Sequence, residues 1–439
     1  MDLRNLGYIY FQEKDIKKAA SSNRSLDNKF ACSYLLGGLN FVLKFIYSLL
    51  FFRRNFKPYK EQVNVLVYGP SVNNRNTLMP IVERLGNKGI AAFLDQKSLP
   101  LWKLYWYALP HIGELITEIL KSSQEERKLF KLFFPKFWRM YGCEKFAEEF
   151  MEFYNPKVVV MANDHLELNR AILNACKERN INTLYAQHAT VGYDFPPLAF
   201  TYSFLDGLDA LRKYEDIGNI AGNVYLSGGV RFDRIPRQHN SAINNSVGVA
   251  INLVDDTEKI KDVIIGLKGS FPGKNIILRP HPQMPVVNWR TWCDSNDIDF
   301  SSSHNETSFE FINRTDLVIS NQCSIHLDSA LCHKPSVVYN LSNNQPDDVY
   351  GFVKNGLVKQ MEDMYALVEF IKNLSNYVIN EDAVKYYNYA YRTKHEGRVA
   401  DIIVDLIESI INCETESFNH RNGFKELYTK DNCKVYRYE

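Results

Sequence analysis

A chain of 439 residues is longer than one hydrophobic core usually serves, and 45% hydrophobic with 23% charged residues is ordinary globular composition, so two domains are expected. Lys+Arg of 52 against Asp+Glu of 51 leaves a net charge of +1, which excludes a global field drawing the chain to nucleic acid. Eight scattered cysteines with no Cys-x-x-Cys pair exclude the dense disulfide framework of a small secreted domain and fit a reducing cytoplasm.

Acidic and polar residues fill the first thirty positions, so no secretory signal is expected there. The run from Ala31 to Phe52 is long enough to cross a bilayer, but Asn40, Lys44 and two glycines interrupt it, and Arg53, Arg54, Lys57 and Lys60 follow. Residues 1–60 are therefore expected to carry a helix lying on an anionic membrane surface, the alternative being a helix packed on the protein's own core or on a partner. The expected location is cytoplasmic, peripheral on the inner face of the cell membrane.

From residue 63 the text VNVLVYGP, a helical LMPIVERLGNKG and an apolar IAAFL form a βαβ opening. Aromatic and basic residues at helical spacing fill 101–154, after which PKVVVMANDH, a helix over 166–179, INTLYAQHA and NVYLSGG repeat a pattern of apolar strand ending in polar residues. These pieces define a first Rossmann-like domain over 61–240, on the acceptor side. A polar stretch at 237–246 reads as a hinge, and VGVAINLVDD, KNIILRPHPQ, DIDF, DLVISNQCS and PSVVYNLS build a second Rossmann-like domain over 241–405, expected to hold the nucleotide. A helical stretch begins near 380, and 406–439 reads as a tail. The fold class expected is α/β, two Rossmann-like domains facing each other across a cleft, with ligands at the carboxyl ends of parallel strands.

Four segments carry candidate chemistry. In LRPHPQ, Pro280 and Pro282 fix the backbone around His281, whose imidazole could donate to a phosphate oxygen while Arg279 adds charge; a turn histidine satisfying a carbonyl is the plain alternative. In SNQCSIHLDSAL, Ser320 and Ser324 flank the start of a helix where a phosphate could bind, and Asp328 could accept from ribose hydroxyls, or the segment is only a capped βα unit. The stretch 185–214 carries Gln187, His188, Asp194, Asp206 and Asp209 in an acceptor-holding loop, with Asp206 or His188 placed to take a proton from a hydroxyl, and Gly207 to permit a tight turn. Asn163, Asp164 and His165 end the adjacent strand. His326 and His333 lack a metal-ligand pattern, so no metal is assigned.

Leu205-Asp206-Gly207, then His281-Pro282, then Ser320 to Ser324, taken in that order, resemble bacterial GT-B-fold glycosyltransferases that use CMP-activated sugars, including sialyltransferases and related capsule enzymes. The resemblance covers residues 155–355. It implies Asp206 as general base, His281 supporting the departing CMP phosphate, and Ser324 binding that phosphate. Leu205 stands where a second acidic residue is often found, and Asn-Gln-Cys separates serines that are adjacent in some relatives. Gln187-His188-Ala189 is also similar to a segment of CDP-glycerol polymerising transferases. The expected function is metal-independent transfer of a CMP-linked acidic sugar, sialic-acid-like or Kdo-like, to a glycan or lipid-linked glycan in surface polysaccharide synthesis, with the donor as substrate and no resident cofactor. The rivals are a CDP-polyol phosphotransferase with His188 as base, a UDP-sugar 2-epimerase with a similar Arg-Pro-His-Pro loop, and a catalytically silent scaffold.

Overall fold

The runs VLVY and VVVM are apolar at every position, the pattern of strands covered on both faces, and in the computed structural model all eight of these residues are buried on neighbouring interior strands of a largely parallel sheet. The structure describes residues 2–12, 33–51, 63–86, 89–95, 98–235, 244–344 and 347–438. It divides into two units, Met1–Asp233 with Arg398–Glu439, and Arg234–Gly397.

The first unit holds eight strands: β1 (Val65–Tyr68), β2 (Ile90–Phe93), β3 (Val158–Met161), β4 (Asn182–Ala186), β5 (Tyr202–Leu205), β6 (Gly222–Leu226), and from the far end of the chain β13 (Phe424–Lys430) and β14 (Cys433–Tyr438). Their order is β13-β14-β6-β5-β4-β3-β1-β2, parallel throughout except for the β13–β14 hairpin. Helix Val72–Leu85 begins where Ser71 accepts from the Asn74 amide and stops at Gly86, whose φ of 69° suits glycine. Helix Phe134–Tyr154 packs on helix Trp102–Ala108 and on helix Glu167–Glu178. Trp138 Nε1 donates to the Ala108 carbonyl at 2.8 Å, fixing the first of these contacts. The amino-terminal segment docks onto the same layer: the Tyr10 hydroxyl donates to Glu167 at 2.5 Å, and Arg139 lies 3.2 Å from the other Glu167 oxygen. Burial opposes ionisation of Glu167, yet the Arg139 charge and the Tyr10 hydrogen bond hold its carboxyl below the usual range.

Residues 398–438 do not form a separate tail. Helix Val399–Ile411 packs on helix Val72–Leu85, its first amides at Val399 and Ala400 bonded to the Asp233 carboxylate at 3.0 and 2.7 Å. The hairpin then extends the sheet beyond β6. Its polar composition conceals the reason: in CKVYRY the buried residues are Cys433, Val435, Tyr436 and Tyr438, and Tyr436 stacks on Tyr225 of β6 with ring centroids 5.1 Å apart. The helical stretch expected from about 380 is likewise divided. Helix Glu381–Tyr387 belongs to the second unit, turns follow, and Gly397 at φ 68° precedes the return to the first.

The second unit contains β7 (Ser246–Ile251), β8 (Asn275–Pro280), β9 (Asp299–Phe300), β10 (Leu317–Ser320), β11 (Ser336–Tyr339) and β12 (Lys359–Met361), all parallel in the order β12-β11-β10-β7-β8-β9. Two runs of crossovers start from neighbouring strands and proceed in opposite directions, so the order reverses between β7 and β10, where the loops beyond both strands diverge and leave room for a ligand. Gly248 lies in the middle of β7 because a Cβ there would meet the Phe311 ring at 2.6 Å. Most of the expected hinge at 237–246 lies outside the described residues; at its end the Asn244 and Ser246 amides donate to the Asp316 carboxylate.

Candidate functional site

In the first unit the pairing of β3, β4, β5 and β6 brings the residues beyond four adjacent strand ends together. Asn163 Oδ1 accepts from the amides of His165 and Leu166, turning the chain into helix Glu167–Glu178, and Asn163 Nδ2 lies 3.1 Å from His165 Nε2. With that amide donating, the neutral ring carries its proton on Nδ1, which lies 3.6 Å from Asp164 Oδ1. Asp164 is 1% exposed, and neither carboxylate oxygen has a hydrogen-bond partner among the described residues. The His165 and His188 rings lie 5.9 Å apart, and the Phe195 ring lies 5.0 Å from that of His165. Asp206 is buried in an ion pair with Arg231, whose guanidinium reaches its carboxylate at 2.6 Å. Beneath these groups the buried hydroxyls of Tyr185 and Tyr214 meet at 3.4 Å. Two carboxylates, two imidazoles and one guanidinium thus share a poorly hydrated site, an arrangement able to receive a proton and orient a hydroxyl.

The remaining expected residues on this side have other work. Gln187 accepts from the Asp206 amide at 2.9 Å and donates to the Ala189 carbonyl at 2.9 Å, so it braces the ends of β4 and β5 rather than presenting its amide to an acceptor. Asp194 is exposed on the loop carrying Phe195. Asp209 sits in the first turn of helix Leu208–Ile217, ion-paired with Lys213 at 2.7 Å. Gly207, expected to permit a tight turn, has φ −171°, extended backbone open to any residue, and helix Leu208–Ile217 starts directly after it.

In the second unit, the His281 amide-side loop leaves β8 with Nδ1 accepting from the Gln283 amide at 3.2 Å. The neutral ring then carries its proton on Nε2, the donor a phosphate oxygen would need, and desolvation lowers its pKa. Arg279 is not available in the same way: it donates to Ser301 at 2.6 Å and to the Glu306 carbonyl at 3.0 Å and lies over the Phe311 ring. Ser320 is fully buried and donates to the Ala250 carbonyl, joining β10 to β7. Ser324 is exposed at the start of helix Ile325–Leu331 and makes no side-chain cap, and Asp328 is half-buried one turn along. At the reversal between β7 and β10, Asn321 donates to Asp255 at 2.9 Å and its carbonyl meets His326 Nε2 at 3.0 Å. His333 Nδ1 lies 3.3 Å from the Tyr391 hydroxyl.

Two solved structures align across most of both chains at a TM-score of 0.50. One is a putative UDP-N-acetylglucosamine 2-epimerase from Listeria monocytogenes, 12% identical over 80% of this chain and 97% of the other. The second is a UDP-N-acetylglucosamine 2-epimerase, 13% identical over 84% and 99%. The fold is GT-B. The wall teichoic acid polymerase TagF aligns at a TM-score of 0.47, with 12% identity over 87% of this chain and 98% of the other. No family model matches the sequence, and no curated protein matches it. Within this GT-B chain, Arg231 is the site residue that no motif announces: its only signal is a cation shortly after Gly228-Gly229 at a strand end.

Two histidines in the GT-B units are held neutral. Burial, then the neighbouring His165 and Arg231, pushes His188 down to about 3, and burial pushes His326 down to about 4. Each has a folded pKa below the ordinary value near 6.5, so its contribution to stability is complete above that value and is lost as pH falls towards the folded pKa. Melting temperature is expected to decline from pH 6.5 to 4.5, and less steeply in His326→Gln; an unchanged slope in the variant would count against the buried neutral imidazole.

Proposed function

We propose that the protein is a nucleotide-sugar-dependent glycosyltransferase that moves a CMP-linked acidic sugar to a glycan or lipid-linked glycan, without a metal, in surface polysaccharide synthesis. The observation that carries this reading is the gathering of Asp164, His165, His188, Asp206 and Arg231 at the ends of β3 to β6. In the proposed reaction the acceptor hydroxyl loses its proton to His188 or Asp206 as its oxygen attacks the anomeric carbon, and the bond from that carbon to the phosphate oxygen breaks. Burial of Asp206 with Arg231 favours His188, the more exposed of the two, as the group that meets the hydroxyl, with Asp206 fixing the guanidinium beside it. His281 Nε2 and the Ser324 hydroxyl would donate to the departing phosphate, where charge grows in the transition state. Asp328 would accept from the ribose.

Thermal stabilisation by CMP, CDP, UMP and UDP tests the donor, because a ligand that binds only the folded protein raises its melting temperature. Selective stabilisation by CMP, lost in His281→Ala and Ser324→Ala, is expected. CDP selectivity would move the reading to a polyol phosphotransferase, and UDP selectivity to the 2-epimerase activity named for two of the fold neighbours. His188→Ala and Asp206→Asn are each expected to lower turnover by about 10²–10⁴-fold while CMP stabilisation survives. Full turnover in both variants sinks the mechanism, and nucleotide binding with no turnover in the parent protein leaves only a scaffold.

A further inference from the structure

Helix Tyr34–Phe51 has the length and composition to cross a membrane, and its packing argues for a different use. One stripe is fastened to the protein. Gly37 sits against the Phe134 side chain, where a Cβ would come 3.0 Å from its Cβ and 3.1 Å from its ring, and Phe41 is fully buried, stacked on Trp138 at 3.9 Å and edge-on to Tyr105 at 5.1 Å. Asn40 and Ser48 are buried on the same side. The supporting helices, Trp102–Ala108 and Phe134–Tyr154, carry Lys103, Lys136, Arg139, Glu144, Lys145, Glu148, Glu149 and Glu152, too many charges for segments lying inside a hydrocarbon core.

The opposite stripe is apolar and open. Leu35, Leu39, Val42, Leu43, Ile46, Tyr47 and Leu50 are each 40–84% exposed. At 100° per residue they cover about 140° of the circumference with no charged residue among them. That arc is wider than the seam a second helix would fill. Trp106, 56% exposed and 6.5 Å from Phe45, adds an indole of the kind that settles at a lipid headgroup boundary. The sequence continues from the end of the helix through Arg53, Arg54, Lys57 and Lys60, a cluster complementary to anionic headgroups.

We propose that this face is a monotopic membrane surface: the helix lies in the plane of an anionic bilayer, its outer stripe among the acyl chains and its inner stripe on the protein. An acceptor carried on a lipid would then be met at the bilayer surface, although the attachment does not depend on which sugar is transferred.

The test uses the full-length protein with vesicles of phosphatidylcholine alone and of phosphatidylcholine mixed with phosphatidylglycerol. Flotation with the mixed vesicles is expected, with weaker flotation on the neutral ones. Leu39→Glu combined with Ile46→Glu should lower partitioning at least about tenfold with circular dichroism unchanged, since both side chains face solvent. Val287→Glu, an exposed apolar position of the second unit, should leave it unchanged. Nitroxides placed at Leu35→Cys and Leu50→Cys, after subtraction of the labelled parent, should report equal depth. A steady gradient of depth between them would mean a crossing helix and overturn the proposal. So would vesicle binding that ignores the two glutamates, or a dimer dispersed by those glutamates in a protein with no affinity for vesicles.

Discussion

Gly142→Ala is expected to abolish stable folding of the first unit. A Cβ on Gly142 would fall 1.7 Å from the Leu104 carbonyl oxygen, 2.6 Å from its carbon and 3.0 Å from its Cα. These are backbone atoms of helix Trp102–Ala108, so no rotamer change relieves the overlap. The helices cannot slide apart cheaply either, because the Trp138 hydrogen bond to Ala108 depends on their present separation and Phe41, stacked on Trp138 of one, meets Tyr105 of the other. A cost of about 4 kcal/mol or more is expected, at the upper end of overpacking effects. Gly113, in helix Ile112–Lys121, has nothing within 4 Å of its Cβ position and serves as the control. Gly113→Ala should be neutral or stabilising by up to about 1 kcal/mol, from helix propensity alone. Urea midpoints for the two variants measure the contrast, and equal midpoints would mean the helices do not approach as closely as described.

The second large effect is expected at Arg231. Replacing it by methionine leaves Asp206 as a carboxylate with a side chain 3% exposed and its countercharge gone. Losing one partner of a buried pair costs about 3–5 kcal/mol, whereas replacing both is often close to neutral. Arg231→Met should therefore melt well below the parent, and Arg231→Met with Asp206→Asn should recover most of the loss. The same single substitution has a second signature. The Arg231 charge helps to depress His188, so its removal should raise the imidazole pKa and move the acid limb of any turnover profile to higher pH. Recovery of stability by the double variant with no displacement of that limb would separate a purely structural pair from one that tunes the site.

The elements easiest to read in the sequence are those whose signal is local. β3 and β7 are apolar runs, the parallel sheets follow from alternating strands and helices, and polar residues after strand ends pointed to Asp164, His188 and Asp206. What the sequence conceals is pairing. Arg231 meets Asp206 because β5 and β6 are neighbours, and Gly207 between them in sequence gives no hint of it. Ser320 and Arg279 illustrate the opposite error: both residue types suit a phosphate, but strand alternation directs each side chain to a protein partner. The hairpin β13–β14 was legible in principle. CKVYRY follows Asp431-Asn432, a turn signal, yet its charges resemble a solvated tail, because Lys434 and Arg437 are exposed between buried residues.

The same hairpin sets the order in which the molecule can be made. The Tyr438 hydroxyl donates to the Ser227 carbonyl across 211 residues of chain, and β14 is the strand that covers the edge of β6. On a ribosome adding about 5–20 residues per second, that edge waits about 10–40 s for its partner. The whole second unit emerges during the interval, its sheet complete within Arg234–Gly397, while the first unit is still a strand pair short. Translation therefore finishes the inserted unit before the one that surrounds it, and an unpaired β6 is the place where a stalled or shortened nascent chain would recruit chaperones or join another copy of itself.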